Sequence, residues 1–409
     1  LGDVYKRQTL GCKVNSYESE AMLEIFKKRG YDNIDFESPA DVYVINTCTV
    51  TNTGDSKSRQ MIRKAHRTNP DAVICVVGCY SQVASEEITE IEGVSVVLGT
   101  QHRASIVDFV EEYKMTHKQI VKIENVMKVS RFEDLSIHAF ENKTRAFLKI
   151  QDGCNNFCTY CIIPYARGGV RSRSKEDVLR QAQELVDRGF VEIVLTGIHT
   201  AGYGVDLDNY SFYDLLVDLT TKIKGLKRLR ISSIEMSQVS DEIIELIGRR
   251  PIIVDHLHIP IQSGTDSILR RMARHYNTAE FEKKYFELKE ALPGISITTD
   301  VIVGFPGETE EDFVDTYNWI KKLHFNQLHV FPYSRRKGTP ADRMPNQVPG
   351  DVKKDRVRRL LQLSDELKTE FALSEMNKEL EVLIEEEKDG YMVGHASNYL
   401  KAVSYTHLT

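Results

Sequence analysis

The segment Phe147-Leu-Lys-Ile-Gln-Asp-Gly-Cys-Asn-Asn-Phe-Cys-Thr-Tyr-Cys161 joins a short apolar run to three closely spaced cysteines. Its first residues, 147–150, predict a β-strand. Cys154, Cys158 and Cys161 then lie on the loop at the carboxyl end of that strand. In α/β folds of the barrel type, active sites occupy this end of the strands. The C-x3-C-x2-C spacing therefore places three thiolates on one loop where chemistry is expected.

Three thiolates do not complete a usual protein metal site. Structural zinc takes four ligands, and so does a conventional [4Fe–4S] cluster. The chain has 7 cysteines and none follows Cys161. A cluster bound here would keep one iron without a protein ligand, and an open position on a metal is where reactions occur. The alternatives are a redox pair of Cys158 with Cys161, or three unrelated buried cysteines.

Strand-like and helical segments alternate after this loop. Capping residues predict helix starts at Ser174 and at Thr309, where Asp312 completes a capping box. The predicted strands are 147–150, 192–195, 228–232, 257–261, 298–303 and 328–331. Six strands with crossover helices predict an incomplete (β/α) barrel or an open sheet, and periodicity does not separate the two.

The region before this loop shows the same alternation at a shorter period. Apolar runs at 41–46, 72–78 and 95–98 read as strands buried on both faces, which predicts a doubly wound α/β domain. Residues 110–145 are highly charged and are interpreted as a connector, with or without a hairpin. The two ends, 1–8 and 403–409, resemble translated cloning scars, and we expect both to lie outside the fold.

A second group of cysteines accompanies the strands of this first region. Cys48 and Cys79 each end an apolar strand run, Cys12 lies ahead of the first such run, and the carboxyl ends of parallel strands share one edge. We expect the three to meet there as a second site with an open iron, although core cysteines at strand ends are the alternative. The strand before Cys12 falls in the scar-like segment, so its support is expected to be damaged. Cys75 lies about 13 Å before Cys79 at 3.3 Å per residue and is expected to be a buried non-ligand.

The last part of the chain predicts a long amphipathic helix and a small β module. An apolar stripe runs through 351–377, where Ser364 is its one polar interruption. Residues 379–385 then alternate like a strand, and Asp389-Gly390 predicts a turn.

Charge and hydropathy restrict the function classes. Lys and Arg number 54 against 60 Asp and Glu, which gives a net charge of −6 and argues against general polyanion binding. Local basic runs remain, and Arg167, Arg171 and Arg173 are expected to contact RNA phosphates. No run approaches the length of a membrane helix and no signal peptide is seen, so no membrane association and a cytoplasmic location are expected.

The motifs Leu10-Gly-Cys-Lys-Val-Asn15, Asn46-Thr-Cys-Thr-Val50 and Gly78-Cys-Tyr80, followed by the cysteine triplet, resemble the radical-SAM methylthiotransferases. The resemblance covers about residues 9–402. It implies an α/β fold with a doubly wound N-terminal domain, an incomplete (β/α)6 barrel and a truncated C-terminal β module. The domains expected are an N-terminal methylthiotransferase domain with an auxiliary cluster (9–130), a radical-SAM domain (140–375) and a partial TRAM-like RNA-binding domain (378–402).

This resemblance also implies the cofactors and partners. The cofactors are two [4Fe–4S] clusters and S-adenosylmethionine (SAM), whose cleavage gives a 5′-deoxyadenosyl radical. The metal ligands implied are Cys12, Cys48, Cys79, Cys154, Cys158 and Cys161. Residues expected to contact SAM, at strand ends or within the triplet, are Tyr160, Gly197, Ser233, Glu235 and Gln262. The partners implied are tRNA, a one-electron donor such as flavodoxin or ferredoxin, and a sulfur source.

The residues after Cys12 separate subfamilies. Lys13-Val14 resembles the enzymes that place a methylthio group on C2 of N6-threonylcarbamoyladenosine next to the anticodon of tRNA. The enzymes acting on isopentenyladenosine usually have Gln-Met there, and those modifying a ribosomal-protein aspartate usually have Pro-Lys. The alternatives are the isopentenyladenosine reaction, another radical-SAM enzyme with an auxiliary cluster acting on a peptide, and a non-enzymatic iron–sulfur or zinc RNA-binding module.

Overall fold

The computed structural model describes residues 4–34, 38–135, 137 and 144–404. The strands are β1 (Val4–Thr9), β2 (Asp32–Asn33), β3 (Val42–Thr47), β4 (Val73–Gly78), β5 (Val94–Leu98), β6 (Ile120–Lys122), β7 (Arg145–Lys149), β8 (Gln151–Asp152), β9 (Arg171–Ser172), β10 (Glu192–Thr196), β11 (Arg228–Ile231), β12 (His256–His258), β13 (Ser296–Val303), β14 (Gln327–Pro332), β15 (Val382–Lys388), β16 (Tyr391–Ala396) and β17 (Lys401–Ser404). The helices are α1 (Lys13–Lys28), α2 (Asn52–Thr68), α3 (Cys79–Val83), α4 (Ser85–Thr89), α5 (Ile106–Thr116), α6 (Ile163–Arg167), α7 (Lys175–Asp187), α8 (Phe212–Lys222), α9 (Asp241–Arg249), α10 (Asp266–Arg271), α11 (Thr278–Ala291), α12 (Glu310–Leu323) and α13 (Gly350–Ser374).

The N-terminal domain is a six-stranded parallel sheet in the order β2-β1-β3-β4-β5-β6. Strands β3 and β4 are buried along their whole length, as their continuous apolar runs predict. One face carries a core that includes Phe26 of α1 and Val110 of α5, and the other carries a core that includes Ile62 of α2. Helices therefore cover both faces, and the predicted doubly wound domain is confirmed.

The expectation that residues 1–8 lie outside the fold is wrong for Val4 to Gln8. Strand β1 pairs in parallel with β3 from Tyr5 opposite Val42 to Thr9 opposite Asn46. Tyr5 is fully buried and stacks on Phe26, with 4.2 Å between ring centroids. The polar side chains did not look like a strand, but backbone pairing on both sides forms one all the same. The strand before Cys12 is therefore intact, and Val403 and Ser404 likewise lie in β17, whereas 1–3 and 405–409 lie outside the described residues.

The first part of the expected connector, residues 110–122, belongs instead to the N-terminal domain. Helix α5 extends to Thr116, and β6 adds a parallel strand to the sheet beside β5. Ile106, Val107 and Val110 are buried against the sheet, while the charged side chains of α5 lie on its outer face. High charge marked the solvent face of an amphipathic helix rather than a linker.

The second domain places six parallel strands side by side as β7-β10-β11 and β12-β13-β14. Backbone bridges join the two halves, from Leu229 to Ile253 and from Ser233 to His258. Side chains from five successive strands, β10 to β14, line one internal cavity. A flat sheet does not allow this arrangement, so the incomplete barrel is confirmed over the open sheet. All six predicted strands are present.

The C-terminal helix packs against the last barrel strand, β14, and the small sheet contacts β7 and β11. Helix α13 buries Leu360, Leu363 and Leu367, and the hydroxyl of Ser364 accepts a hydrogen bond from the backbone N–H of Leu328 in β14 (3.1 Å). The one polar residue of the apolar stripe therefore forms a hydrogen bond with the backbone of the edge strand. Strands β15, β16 and β17 form an antiparallel sheet. The predicted strand over 379–385 corresponds to β15, and the turn predicted at Asp389-Gly390 follows it. Within the described residues, no helix combines the length and the apolar character needed to cross a bilayer.

Candidate active site

The first cysteine group is assembled by neighbouring strands. Cys12, Cys48 and Cys79 follow β1, β3 and β4, which lie side by side in the sheet. Gly11 has φ of +113°, and a Cβ atom there would stand 2.8 Å from Cys48 Cβ. Only glycine therefore lets the loop carrying Cys12 approach Cys48 so closely. Cys75 is buried in the apolar core of the sheet, apart from this group.

The chemistry of these thiols suits a metal cluster. Burial raises the pKa of Cys79 to about 12 and also raises that of Cys48, and the neighbouring thiols raise both further. Such thiols ionise when a cation binds them, because coordination to a metal deprotonates a thiol. Arg167 Nε donates a hydrogen bond to Cys79 Sγ (3.2 Å), which favours the thiolate. The residues present fit an iron–sulfur cluster.

The second cysteine group lies on the loop after β8. Gly153 has φ of +75°, and a Cβ atom there would stand 1.8 Å from the carbonyl oxygen of Gly169, so the loop packs tightly at its start. Burial raises the pKa of Cys154 to about 11 and that of Cys161 to about 12. Arg274 Nη1 donates to Cys158 Sγ (3.4 Å). Each group thus has one buried arginine that donates to one of its sulfurs.

A buried ion network joins the two domains beside the first group. Glu18 of α1 accepts from Arg167 Nη1 (2.8 Å) and Lys149 Nζ (2.8 Å), and Arg167 also donates to Asp152 (3.0 Å). Arg103 pairs with Glu18 from the N-terminal domain (2.5 Å). Burial opposes ionisation of Glu18, but Arg103, Arg167 and Lys149 outweigh it and hold its pKa far below the ordinary value. The network fixes the position of Arg167 between the domains.

The interpretation of Arg167, Arg171 and Arg173 as RNA contacts is wrong. Their exposed fractions are 0%, 2% and 1%. Arg171 donates to the carbonyl oxygen of Gly169 (2.9 Å), and Arg173 pairs with Asp134 (2.6 Å). These guanidinium groups are themselves buried and pair with carboxylates or backbone carbonyl groups of the chain, so they have no surface to offer a phosphate.

A mainly apolar cavity of about 250 Å³ lies beside the second cysteine group. Tyr160, Cys161, Gln262, Ile302 and Phe331 are among its lining residues. Gln262 has φ of +63°, and its backbone N–H donates to the carbonyl oxygen of Asp300 (2.9 Å). We refer to this space as the apolar cavity.

A larger cavity of about 430 Å³ lies inside the barrel next to the first cysteine group. We refer to it as the polar cavity. Its lining residues are Cys12, Lys13, Val14, Thr196, Gly197, Arg230, Ile231, Ser232, Ser233, His256, His258, Thr298, Asp300, His329 and Tyr399. Its volume falls in the range of small-molecule sites. Asp300 lines both cavities, so the two spaces meet at this residue.

The five residues expected to contact SAM lie in three places: the apolar cavity, the polar cavity and the surroundings of the second cysteine group. Tyr160 and Gln262 line the apolar cavity, whereas Gly197 and Ser233 line the polar cavity. Glu235 accepts hydrogen bonds from Asn156 Nδ2 (2.9 Å) and Arg274 Nη1 (3.0 Å), beside the second cysteine group. The five do not share one cavity.

Several polar residues of the barrel interior escaped the sequence analysis. His258 Nε2 lies 3.2 Å from Asp300 Oδ1, and His329 faces the same pair. His256 stacks on Tyr399 of the C-terminal module, with 4.8 Å between ring centroids. Polar residues two apart in a buried strand, such as His256 and His258, point to the same face, and that pattern was the available signal.

Comparison with known proteins agrees with this geometry. Residues 148–320 match the Radical SAM superfamily, and residues 5–99 match the Uncharacterized protein family UPF0004. The chain is 56% identical over 97% of its length to the threonylcarbamoyladenosine tRNA methylthiotransferase MtaB of Bacillus subtilis (strain 168), and covers 89% of that protein. The chain belongs to the radical-SAM methylthiotransferase family. MtaB of Aquifex aeolicus (strain VF5) is 40% identical over 93% of this chain and 92% of its own length.

Other members of the methylthiotransferase family are more distant. The tRNA-2-methylthio-N(6)-dimethylallyladenosine synthase of Moorella thermoacetica is 37% identical over 93% of this chain and 87% of its own length. Among solved structures, the radical SAM methyltransferase TsrM of Kitasatospora setae superposes with a TM-score of 0.60 at 14% identity, over 83% of this chain and 77% of that chain, which shows the shared fold.

Membership in this family settles the enzyme class. Radical-SAM methylthiotransferases use SAM and [4Fe–4S] clusters, so the expected cofactors are confirmed. The redox-pair alternative for Cys158 and Cys161 and the non-enzymatic RNA-binding alternative are therefore wrong. The MtaB proteins of Bacillus subtilis and Aquifex aeolicus are 56% and 40% identical to this chain, against 37% for the dimethylallyladenosine synthase of Moorella thermoacetica.

Proposed function

We propose that this chain places a methylthio group on C2 of N6-threonylcarbamoyladenosine next to the anticodon of tRNA. One observation carries the proposal: the two cysteine groups open onto two adjoining cavities. Cys12 lines the polar cavity, Cys161 lines the apolar cavity, and Asp300 lines both. A base held in the polar cavity would lie beside the first group and next to the cavity of the second, which suits a reaction that needs a radical and a sulfur donor at one carbon.

The chain would hold its cofactors with six cysteines. Cys12, Cys48 and Cys79 would ligate the first cluster. Cys154, Cys158 and Cys161 would ligate the second cluster. When bound, the second cluster and SAM supply the radical, and the first cluster supplies the sulfur. Support comes from the buried, gathered thiols of each group and from the guanidinium donor that each group receives.

The remaining residues bind, orient and exclude water. Tyr160 and Gln262 offer an apolar wall and an amide, which suit the adenine of SAM. Glu235, held by Arg274 and Asn156, offers a carboxylate beside the second group. Gly197 and Ser233 lie where the polar cavity reaches the strand ends, and we assign them to the boundary between SAM and the base.

The domain division and partners complete the proposal. We assign residues 9–130, together with β1, to sulfur delivery. We assign residues 140–375 to radical formation and residues 378–402 to RNA binding as a partial TRAM-like module. The three-stranded sheet β15-β16-β17 supports the last assignment. The substrate is tRNA, and the electron donor is a one-electron carrier such as flavodoxin or ferredoxin. A separate sulfur source restores the first cluster, and the location is cytoplasmic.

Mass spectrometry of nucleosides tests this function. Reconstituted enzyme, SAM and a reductant are incubated without oxygen with tRNA that carries threonylcarbamoyladenosine or isopentenyladenosine. We expect the methylthio derivative of threonylcarbamoyladenosine and 5′-deoxyadenosine, and no methylthio product with Cys48→Ala. Reaction with isopentenyladenosine alone would refute the substrate assignment and leave the reaction class standing.

A further inference from the structure

Lys13 places a cation in the polar cavity directly after a cluster ligand. It is the first residue of α1, and Cys12 precedes it. Its side chain is exposed to solvent and lines the polar cavity. Within the described part of the chain, its ammonium group makes no hydrogen bond and no ion pair. The ammonium is therefore available to pair with an anionic group of a ligand that enters the polar cavity.

Arg230 brings a second cation to the same cavity. It lies on β11 and is 1% exposed. Its Nε donates to Glu192 Oε1 (2.7 Å) and its Nη1 to the carbonyl oxygen of Ser397 (3.1 Å). Its Nη2 is buried and has no hydrogen-bond partner among the described residues. One donor position of this guanidinium therefore remains unused.

The acidic residues nearby do not neutralise Lys13. Asp300 is the one carboxylate among the described lining residues, and it contacts His258 (3.2 Å). Glu192 lies beneath the cavity and is shared by Arg145 (3.5 Å), Arg228 (3.7 Å) and Arg230 (2.7 Å). The cavity next to Lys13 is thus prepared for an anion that the chain itself does not supply.

We propose that Lys13, with Arg230 behind it, binds the carboxylate of the threonylcarbamoyl group and thereby determines specificity for the N6 substituent. The inference rests on the proposed function and names the residue that selects its substrate. The ammonium provides a point charge for one carboxylate. An isopentenyl substituent has no charge, so it would cover the ammonium without pairing it, and sites with such unpaired polar groups reject apolar analogues strongly.

The inference is tested by removing the charge of Lys13 and the charge of the ligand carboxylate, separately and together. The ligands are anticodon stem-loop RNAs that carry threonylcarbamoyladenosine, its methyl ester or isopentenyladenosine. The proteins are the reconstituted wild type, Lys13→Gln and Lys13→Arg, with Lys28→Gln as a control at the exposed end of the same helix. Equilibrium binding is measured without reductant, and iron content is measured for every variant.

We expect esterification to weaken binding to the wild type by on the order of 10- to 100-fold, the value of a charge-assisted contact. Lys13→Gln should bind the free acid as weakly as the wild type binds the ester, and should respond little to esterification. Lys13→Arg should retain most of the preference for the acid, and Lys28→Gln should match the wild type.

Failure of this inference and failure of the proposed function would give different results. Equal binding of acid and ester by the wild type overturns the inference, whatever the state of the variants. A full preference for the acid in iron-replete Lys13→Gln overturns it as well. Failure of the wild type to methylthiolate the threonylcarbamoyladenosine RNA, with turnover of the isopentenyladenosine RNA, instead overturns the proposed function.

Discussion

The two cysteine groups reach similar surroundings by different routes. Cys154, Cys158 and Cys161 share one loop, so their proximity is largely a local property of the chain. Cys12 and Cys79 lie 67 residues apart and meet only because β1, β3 and β4 are neighbours in a folded sheet. The first group depends in addition on Arg167, which comes from the other domain. Damage to the fold should therefore empty the first group before the second.

The largest expected effect separates the tasks of the two groups. Cys158→Ala should abolish 5′-deoxyadenosine formation, because it removes a ligand of the radical-forming cluster. Cys48→Ala should still cleave SAM but form no methylthio nucleoside. Both products are quantified in one reaction by liquid chromatography and mass spectrometry. Equal loss of SAM cleavage in the two folded variants would contradict a division of labour.

Removal of Arg167 should weaken the first group and the domain contact together. Arg167→Met leaves the buried Glu18 and Asp152 short of a partner, which costs about 3–5 kcal/mol. We expect a lower denaturation midpoint and preferential loss of iron from the first site. Arg335→Met is the control, since this side chain is 60% exposed and its pair with Asp342 should contribute about 0–1 kcal/mol. Equal effects of the two substitutions would refute the role given to the network.

Lowering the pH should weaken the same ion network between the two domains. The pKa of Glu18 is held below its ordinary value of 4.5, so the stabilisation it provides is present above that pH and is lost as the pH falls below it. The free energy of unfolding of the cluster-free protein should drop by on the order of 2 kcal/mol through this group on acidification. Glu18→Gln should lower stability at neutral pH and flatten this dependence in urea titrations. An unchanged slope in the variant would show that Glu18 is not coupled to the arginines.

The smallest effect is expected at Cys75. This thiol is buried in the apolar core of the sheet and outside the first group, so Cys75→Ala should cost about 1 kcal/mol and leave both clusters in place. Cys79→Ala is the matched substitution four residues later and should lose the first cluster. Iron analysis compares the two proteins. Loss of cluster iron from folded Cys75→Ala would place the wrong cysteine at the site.

Local signals were sufficient for the second group and for most of the fold. The six barrel strands and the capped helix starts at Ser174 and Thr309 follow from periodicity and capping, as do the first strand and the turn of the C-terminal module. Strand β1 was missed because its side chains are polar, while its pairing with β3 comes from the backbone. Propensity is a weak guide where neighbours on both sides form the strand.

Non-local partners explain the remaining errors. The basic run that contains Arg167, Arg171 and Arg173 resembles a solvated surface, because their partners Glu18 and Asp134 lie far away in the sequence. Only the fold brings the opposite charges together. The position of Lys13 illustrates the same limit: the sequence marked it as a subfamily feature, and the structure placed it in the polar cavity.

The proposed function requires two separate clusters, one on each cysteine group. Iron and sulfide analysis of anaerobically reconstituted wild type, Cys48→Ala and Cys158→Ala tests it most directly. Two four-iron clusters predict about eight irons in the wild type and about four in each variant. About four irons in the wild type, or zinc in place of iron, would contradict the account.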